Sequence, residues 1–153
     1  MATEVIHNLW LGNIRNANDI NFIKKAGINT VFNCTVNISN ISDLCIRYKY
    51  RIPVKDNCTK EEVFLMYTIL EKTVHLIKKH LLNNDIVLVH CHAGRQRSVC
   101  IILAFLMKYG NLTLKSALKL LQKKRPISGT PELNFYYALI NYEKYLQESE
   151  IKH

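Results

Sequence analysis

An α/β fold, with a mostly parallel central sheet flanked by helices on both faces, is the architecture that the sequence predicts. Three observations predict it. Short strand-like runs alternate along the chain with longer segments of helical periodicity, and that alternation produces parallel sheets covered on both sides. The run IVLVH at 86–90 is apolar without alternation, as a strand buried on both faces is. The length of 153 residues suits one domain built on one core, spanning residues 1–153.

Residues 5–11 (VIHNLWL) read as a short strand. Residues 18–26 read as a helix, with Asn18 near its cap and Gly27 ending it. Residues 28–34 (INTVFNC) form a second strand, 36–46 a polar, irregular loop, and 47–54 (RYKYRIPV) an alternating third strand. Thr59-Lys60-Glu61-Glu62 has the pattern of a capping box, so a helix starts near residue 60. Val63, Met66, Tyr67, Leu70, Val74, Ile77 and Leu81 carry its apolar face to about residue 82. Asp85 opens the buried strand. Ser98 to Tyr109 is a strongly apolar central helix. Thr113 caps another, with Leu114, Ala117, Leu118 and Leu121 on one face and Pro126 closing it. Residues 131–148 form the last helix, with Leu133, Tyr137 and Ile140 turned inward.

The formal charge of +9 favours anionic partners, although much of it is lysine pairs that also suit solvated helix faces. The five cysteines show no zinc-ligand spacing and are expected as free thiols in a reducing compartment. No apolar run approaches the roughly 20 residues that span a bilayer, and the first residues lack the pattern of a secretory signal. A cytoplasmic or nuclear protein is expected. The abundance of Lys, Asn and Ile fits an AT-rich genome; for a virus the compartment is the host cytoplasm.

The chemistry concentrates in VLVHCHAGRQRS, residues 87–98. Ligands of open α/β sheets bind at the carboxyl ends of strands, and Cys91 sits at such an end. The loop 92–97 feeds a helix N-terminus, so its amides converge as an anion nest reinforced by the helix dipole. Gly94 allows the turn. Arg97 can offer a guanidinium fork to two phosphate oxygens. The same field lowers the pKa of a thiol, making Cys91 a thiolate aimed at a bound phosphorus. A cysteine alone reads more readily as core. The joint pattern of His, Cys, central Gly, Arg and Ser arises by chance on the order of once in ten million starts.

HCHAGRQRS resembles the HCx5R(S/T) signature of the protein tyrosine phosphatase superfamily. LWLGNIRNANDINFIKKAGINTVFNCT, YRIPVKDN and KRPISGTPELNFYYALINYEKYL resemble the opening, acid-bearing and closing segments of its small dual-specificity branch, including compact viral members. The resemblance implies a protein tyrosine phosphatase-like fold and hydrolysis of phosphotyrosine and phosphoserine or phosphothreonine in proteins, without metal or other cofactor. Cys91 matches the nucleophile that forms a phosphocysteine. Arg97 matches the residue that grips the phosphoryl oxygens. Ser98 matches the hydroxyl that stabilises the thiolate as it leaves. His92, Ala93, Gly94, Arg95 and Gln96 match the phosphate-binding loop, and His90 its support from behind. Asp56, which also reads as a turn residue, matches the general acid 35 residues before Cys91.

Two departures stand out. The branch often carries Pro-Asn before the last helix, bracing the loop; here the region reads Ser128-Gly129-Thr130-Pro131-Glu132. Arg95 and His92 put basic residues where phosphoinositide phosphatases of the superfamily carry them. A phosphoinositide or other polyanion therefore remains as an alternative substrate; an RNA 5′ end, taken by a related branch with the same cysteine loop, is another, with Asp56 arguing against it. The oligomeric state is open.

Overall fold

The computed structural model describes residues 1–40 and 45–151. Five strands form one sheet: β1 (Thr3–Ile6), β2 (Leu9–Gly12), β3 (Thr30–Asn33), β4 (Tyr48–Arg51) and β5 (Val87–His90). Their order is β1-β2-β5-β3-β4. The β1–β2 pair is antiparallel, and every other pair is parallel. The helices are α1 (Ile14–Ala17), α2 (Ile20–Ala26), α3 (Lys60–Leu82), α4 (Arg97–Tyr109), α5 (Leu114–Lys124) and α6 (Tyr136–Ile151).

The period of two along each strand sorts side chains onto two layers. Leu9, Leu11, Phe32, Val87 and Val89 join the larger core with α3, α4, α5 and α6. Trp10, Val31 and Leu88 turn the other way, onto α1 and α2. β5 is buried at every position, as its unbroken apolar run requires. α4 is apolar almost all round because it is packed between neighbours: residues Ser98 to Met107 are all buried.

Several boundaries differ from the sequence expectation. Residues 5–11 are a hairpin rather than one strand. His7 and Asn8 make the reversal, and Asn8 takes φ 67°, which Asn tolerates better than most residues. The expected helix at 18–26 is α2, which starts at Ile20, and a separate short helix, α1, precedes it. Asp19, not Asn18, is the N-cap of α2, its side chain accepting from the Phe22 amide; Asn18 is the C-cap of α1. Gly27 ends α2 as expected, at φ 76°. The third strand stops at Arg51, two residues before Pro53, which cannot donate to a ladder. Residues 36–40 and 45–46 are irregular as expected, and the rest of that loop lies outside the described residues.

The capping box at Thr59 is half formed. Thr59 Oγ1 accepts from the Glu62 amide at 3.3 Å, but Glu62 Oε2 accepts from the Lys55 amide at 3.0 Å instead of returning to Thr59. The last helix begins at Tyr136, five residues later than expected, and the shift changes its buried face. Tyr137 is 72% exposed rather than inward, while Phe135, Ala138, Leu139 and Tyr142 fill the core. Among the described residues, no helix is long and apolar enough to cross a membrane.

Candidate active site

Cys91 is the first residue past β5, which lies between β2 and β3, so it leaves the middle of the sheet at its carboxyl edge. Residues 92–96 turn the chain and α4 begins at Arg97, capped at Gln96 without a side-chain hydrogen bond to the first-turn amides. No N-cap side chain therefore occupies those amides, and the Ser98 amide turns to the Cys91 sulfur. Two contacts fasten the turn to the opening segment. The Ile14 amide donates to the His92 carbonyl at 3.0 Å, and Gly94 lies against Gly12. Gly94 has φ +66°, and a Cβ there would stand 2.7 Å from the Gly12 oxygen, so only glycine fits.

Ser98 Oγ is 3.1 Å from Cys91 Sγ. Burial pushes the Cys91 thiol up, but the Ser98 hydroxyl, the amides of Ser98 and Gly94 and the Arg97 charge outweigh it and hold the thiol below its ordinary value. Arg97 Nη1 donates to the Val54 carbonyl at 3.2 Å. Its Nε is buried and without a partner among the described residues, an arrangement that an oxyanion would complete. His90 Nδ1 donates to the Cys91 carbonyl at 3.2 Å. Burial holds its imidazole below the usual value against that bond, with Arg51 and Arg97 adding to the effect, which favours the neutral ring.

One cavity of about 370 Å³ collects Asp56, Cys91, His92, Ala93, Arg95, Gln96 and Arg97, together with Thr130, Pro131 and Asn134. Asp56 is exposed, and its Oδ1 accepts from Asn134 Nδ2 at 2.8 Å. Arg95 is exposed at the rim with Nη2 on Thr130 Oγ1 at 3.1 Å. The Gln96 side chain is 6% exposed and engaged with the neighbouring segment. Its Nε2 donates to the carbonyls of Thr130 and Glu132 at 2.9 and 2.7 Å, and its Oε1 accepts from the Asn134 amide at 3.0 Å.

Sequence reasoning missed two residues. Arg125 is buried behind the loop, its Nε donating to the Gly94 carbonyl at 3.1 Å and its Nη1 to the Met1 carbonyl and Thr3 Oγ1. It ties the loop 92–96 to β1, and a lone Arg before a Pro gives no local sign of that. Asn134 was hidden because the expected helix ran through it. The missing Pro-Asn brace has a substitute in the three hydrogen bonds of Gln96.

Residues 9–145 match the family model of the dual specificity phosphatase catalytic domain. Human dual specificity protein phosphatase 9 is 30% identical over 96% of this chain and 37% of its own length. Protein 123R of Invertebrate iridescent virus 6, whose name proposes a tyrosine phosphatase, is 31% identical over 96% of this chain and 95% of that relative. The crystal structure of human DUSP28 superposes with a TM-score of 0.84 at 26% identity, covering 95% of both chains. The chain spans only 21 to 37% of the first four curated relatives it matches. With the family model covering nearly its whole length, the chain belongs to the dual specificity phosphatase catalytic domain family.

Proposed function

We propose that this chain is a single catalytic domain, residues 1–153, that hydrolyses phosphate monoesters on tyrosine and on serine or threonine of proteins through a phosphocysteine. The observation that carries the reading is the Cys91 thiol, held below its usual pKa and lining one cavity with Arg97, whose Nε has no partner among the described residues. The Cys91 thiolate attacks phosphorus in line with the leaving oxygen. Arg97 and the amides of residues 92–98 take the three non-bridging oxygens as charge spreads over them. Asp56 donates its proton to the leaving oxygen, so a neutral alcohol or phenol departs. The carboxylate then takes a proton from water, which attacks the phosphocysteine and releases phosphate. Ser98 donates to the sulfur as it regains its charge, and His90 holds the loop carbonyl behind it. Names of relatives such as human dual specificity protein phosphatase 9 support the protein substrate class. The working compartment is the cytoplasm, that of the host if the protein is viral.

A second reading, a polyanion such as a phosphoinositide, is favoured by Arg95 and His92, exposed side chains that line the same cavity. One substrate panel separates the readings: phosphotyrosine and phosphothreonine peptides, phosphoinositides and 5′-triphosphorylated RNA, with Cys91→Ser as control. Turnover of both peptides, absent from the control, is expected. Turnover of lipid or RNA with inert peptides would replace the protein reading.

A further inference from the structure

We propose that Asn134 is a positioning residue for Asp56, held in place by Gln96 of the anion loop, so that the nucleophile loop itself sets the orientation of the acid. The inference rests on Asp56 acting as the general acid.

The peptide unit just before Asp56 is held from two directions: Arg97 Nη1 donates to its Val54 carbonyl, and Glu62 Oε2 accepts from its Lys55 amide. These contacts fix the chain and leave the exposed carboxyl free to rotate about its own bonds. The bond from Asn134 Nδ2 to Asp56 Oδ1, at 2.8 Å, removes that freedom. It also distinguishes the two oxygens. A proton on Oδ1 would point at the amide N–H and lose the bond, so the transferable proton resides on Oδ2. Asn134 thereby selects both a rotamer and a proton position.

Asn134 is held by something other than a helix. It lies in a turn just before α6, and its amide donates to Gln96 Oε1 at 3.0 Å. The Gln96 amide group also binds the carbonyls of Thr130 and Glu132. Gln96 is buried and is followed at once by Arg97, so one strip of chain carries the nucleophile, the phosphate-gripping arginine and the anchor of the acid's partner. A hydrogen bond between an exposed carboxylate and a neighbouring amide adds little to stability. Its value here lies in orientation, because misplacing a reacting group by about 1 Å can cost up to roughly a hundredfold in rate.

The test is Asn134→Ala, Asp56→Asn and the double variant. They are assayed on two aryl phosphates, one with a good and one with a poor leaving group, with inorganic phosphate inhibition and thermal midpoint as checks on the loop. Asn134→Ala should lower kcat about tenfold on the poor leaving group and about twofold or less on the good one, with KM and phosphate inhibition unchanged. In the Asp56→Asn background the same substitution should cost nothing further. Equal losses on both substrates, a loss that multiplies with that of Asp56→Asn, or no loss would each overturn the positioning role. If Asp56→Asn is leaving-group-selective and Asn134→Ala is not, only this inference falls. If Asp56→Asn is itself unselective, the acid assignment falls and takes the inference with it.

Discussion

Ser98 Oγ stands 3.1 Å from Cys91 Sγ, in the first turn of α4 and across the whole loop 92–96 from it. A hydroxyl in that position donates to a sulfur anion and has little to offer a neutral thiol. It therefore favours the thiolate and, in the proposed mechanism, would do so both before attack and when the phosphoryl group leaves.

Ser98→Ala should raise the pH at which the enzyme switches on. The Cys91 thiol is held below its ordinary value partly by this hydroxyl, so the thiolate persists above the lowered pKa and is lost as pH falls through it. Removing the donor moves that acidic limb to higher pH. The pH dependence of alkylation by iodoacetamide measures it directly, and an unmoved limb would show that the amides and Arg97 suffice. Turnover should also fall, most where breakdown of the phosphocysteine limits the rate.

Gly94→Ala should destabilise the fold by about 1–3 kcal/mol and abolish turnover. The residue sits at φ +66° with the Gly12 carbonyl and the Arg125 guanidinium where a Cβ would go. Thermal unfolding reads the first effect and turnover of an aryl phosphate the second. A variant that kept both would mean that the loop can turn another way.

Mild peroxide should produce a reversible disulfide between Cys91 and Cys34. The parallel register pairs Asn33 with His90, and the Cys34 amide donates to the His90 carbonyl at 2.8 Å, so the two cysteines follow side by side. Neighbouring strands lie about 4.8 Å apart, within the roughly 4.4–6.8 Å that a disulfide spans between Cα atoms. Peroxide converts the Cys91 thiolate to a sulfenic acid, and the Cys34 thiol displaces water from it. Cys58 is a weaker partner, since it is exposed and lines a different cavity. Peptide mapping should find the Cys34–Cys91 link, and Cys34→Ser should convert reversible inactivation into irreversible loss. Mapping that shows no such link removes the idea.

Arg95→Ala should weaken turnover of a bis-phosphorylated peptide or a phosphoinositide a few-fold while sparing a singly charged aryl phosphate. Exposed charge pairs contribute about 0.2–1 kcal/mol, and salt screens them. The selective loss should therefore fade at high ionic strength. Identical behaviour of both substrates would leave Arg95 a solvated side chain bonded to Thr130.

What was legible in the sequence follows from how local each signal is. The loop between β5 and α4 is readable because the residues that mark it lie within nine consecutive positions, from His90 to Ser98. The buried strand, the long helix at 60–82 and the apolar α4 were readable from composition and period. Boundaries set by a single turn residue were not: Asn8 splits one expected strand, and Asp19 takes the cap assigned to Asn18. Tyr137 was placed inward because its spacing from Leu133 suits a helix, but residues 131–135 are not helical. Glu62 matched a capping pattern yet serves the Lys55 amide across the acid loop. Arg125 and Asn134 act through contacts with residues 31 and 78 positions away, which no local pattern encodes.

The central claim is that phosphate passes through Cys91. Rapid quenching of the Asp56→Asn variant with an aryl phosphate of good leaving group tests it most directly. That leaving group needs no acid, while release of the phosphoryl group from sulfur then lacks its base. A phosphoryl group covalently attached to the peptide containing Cys91 should accumulate within the first turnover and be absent in Cys91→Ser. Turnover with no covalent phosphate at any quench time, retained when Cys91 is replaced by Ser, would contradict the account.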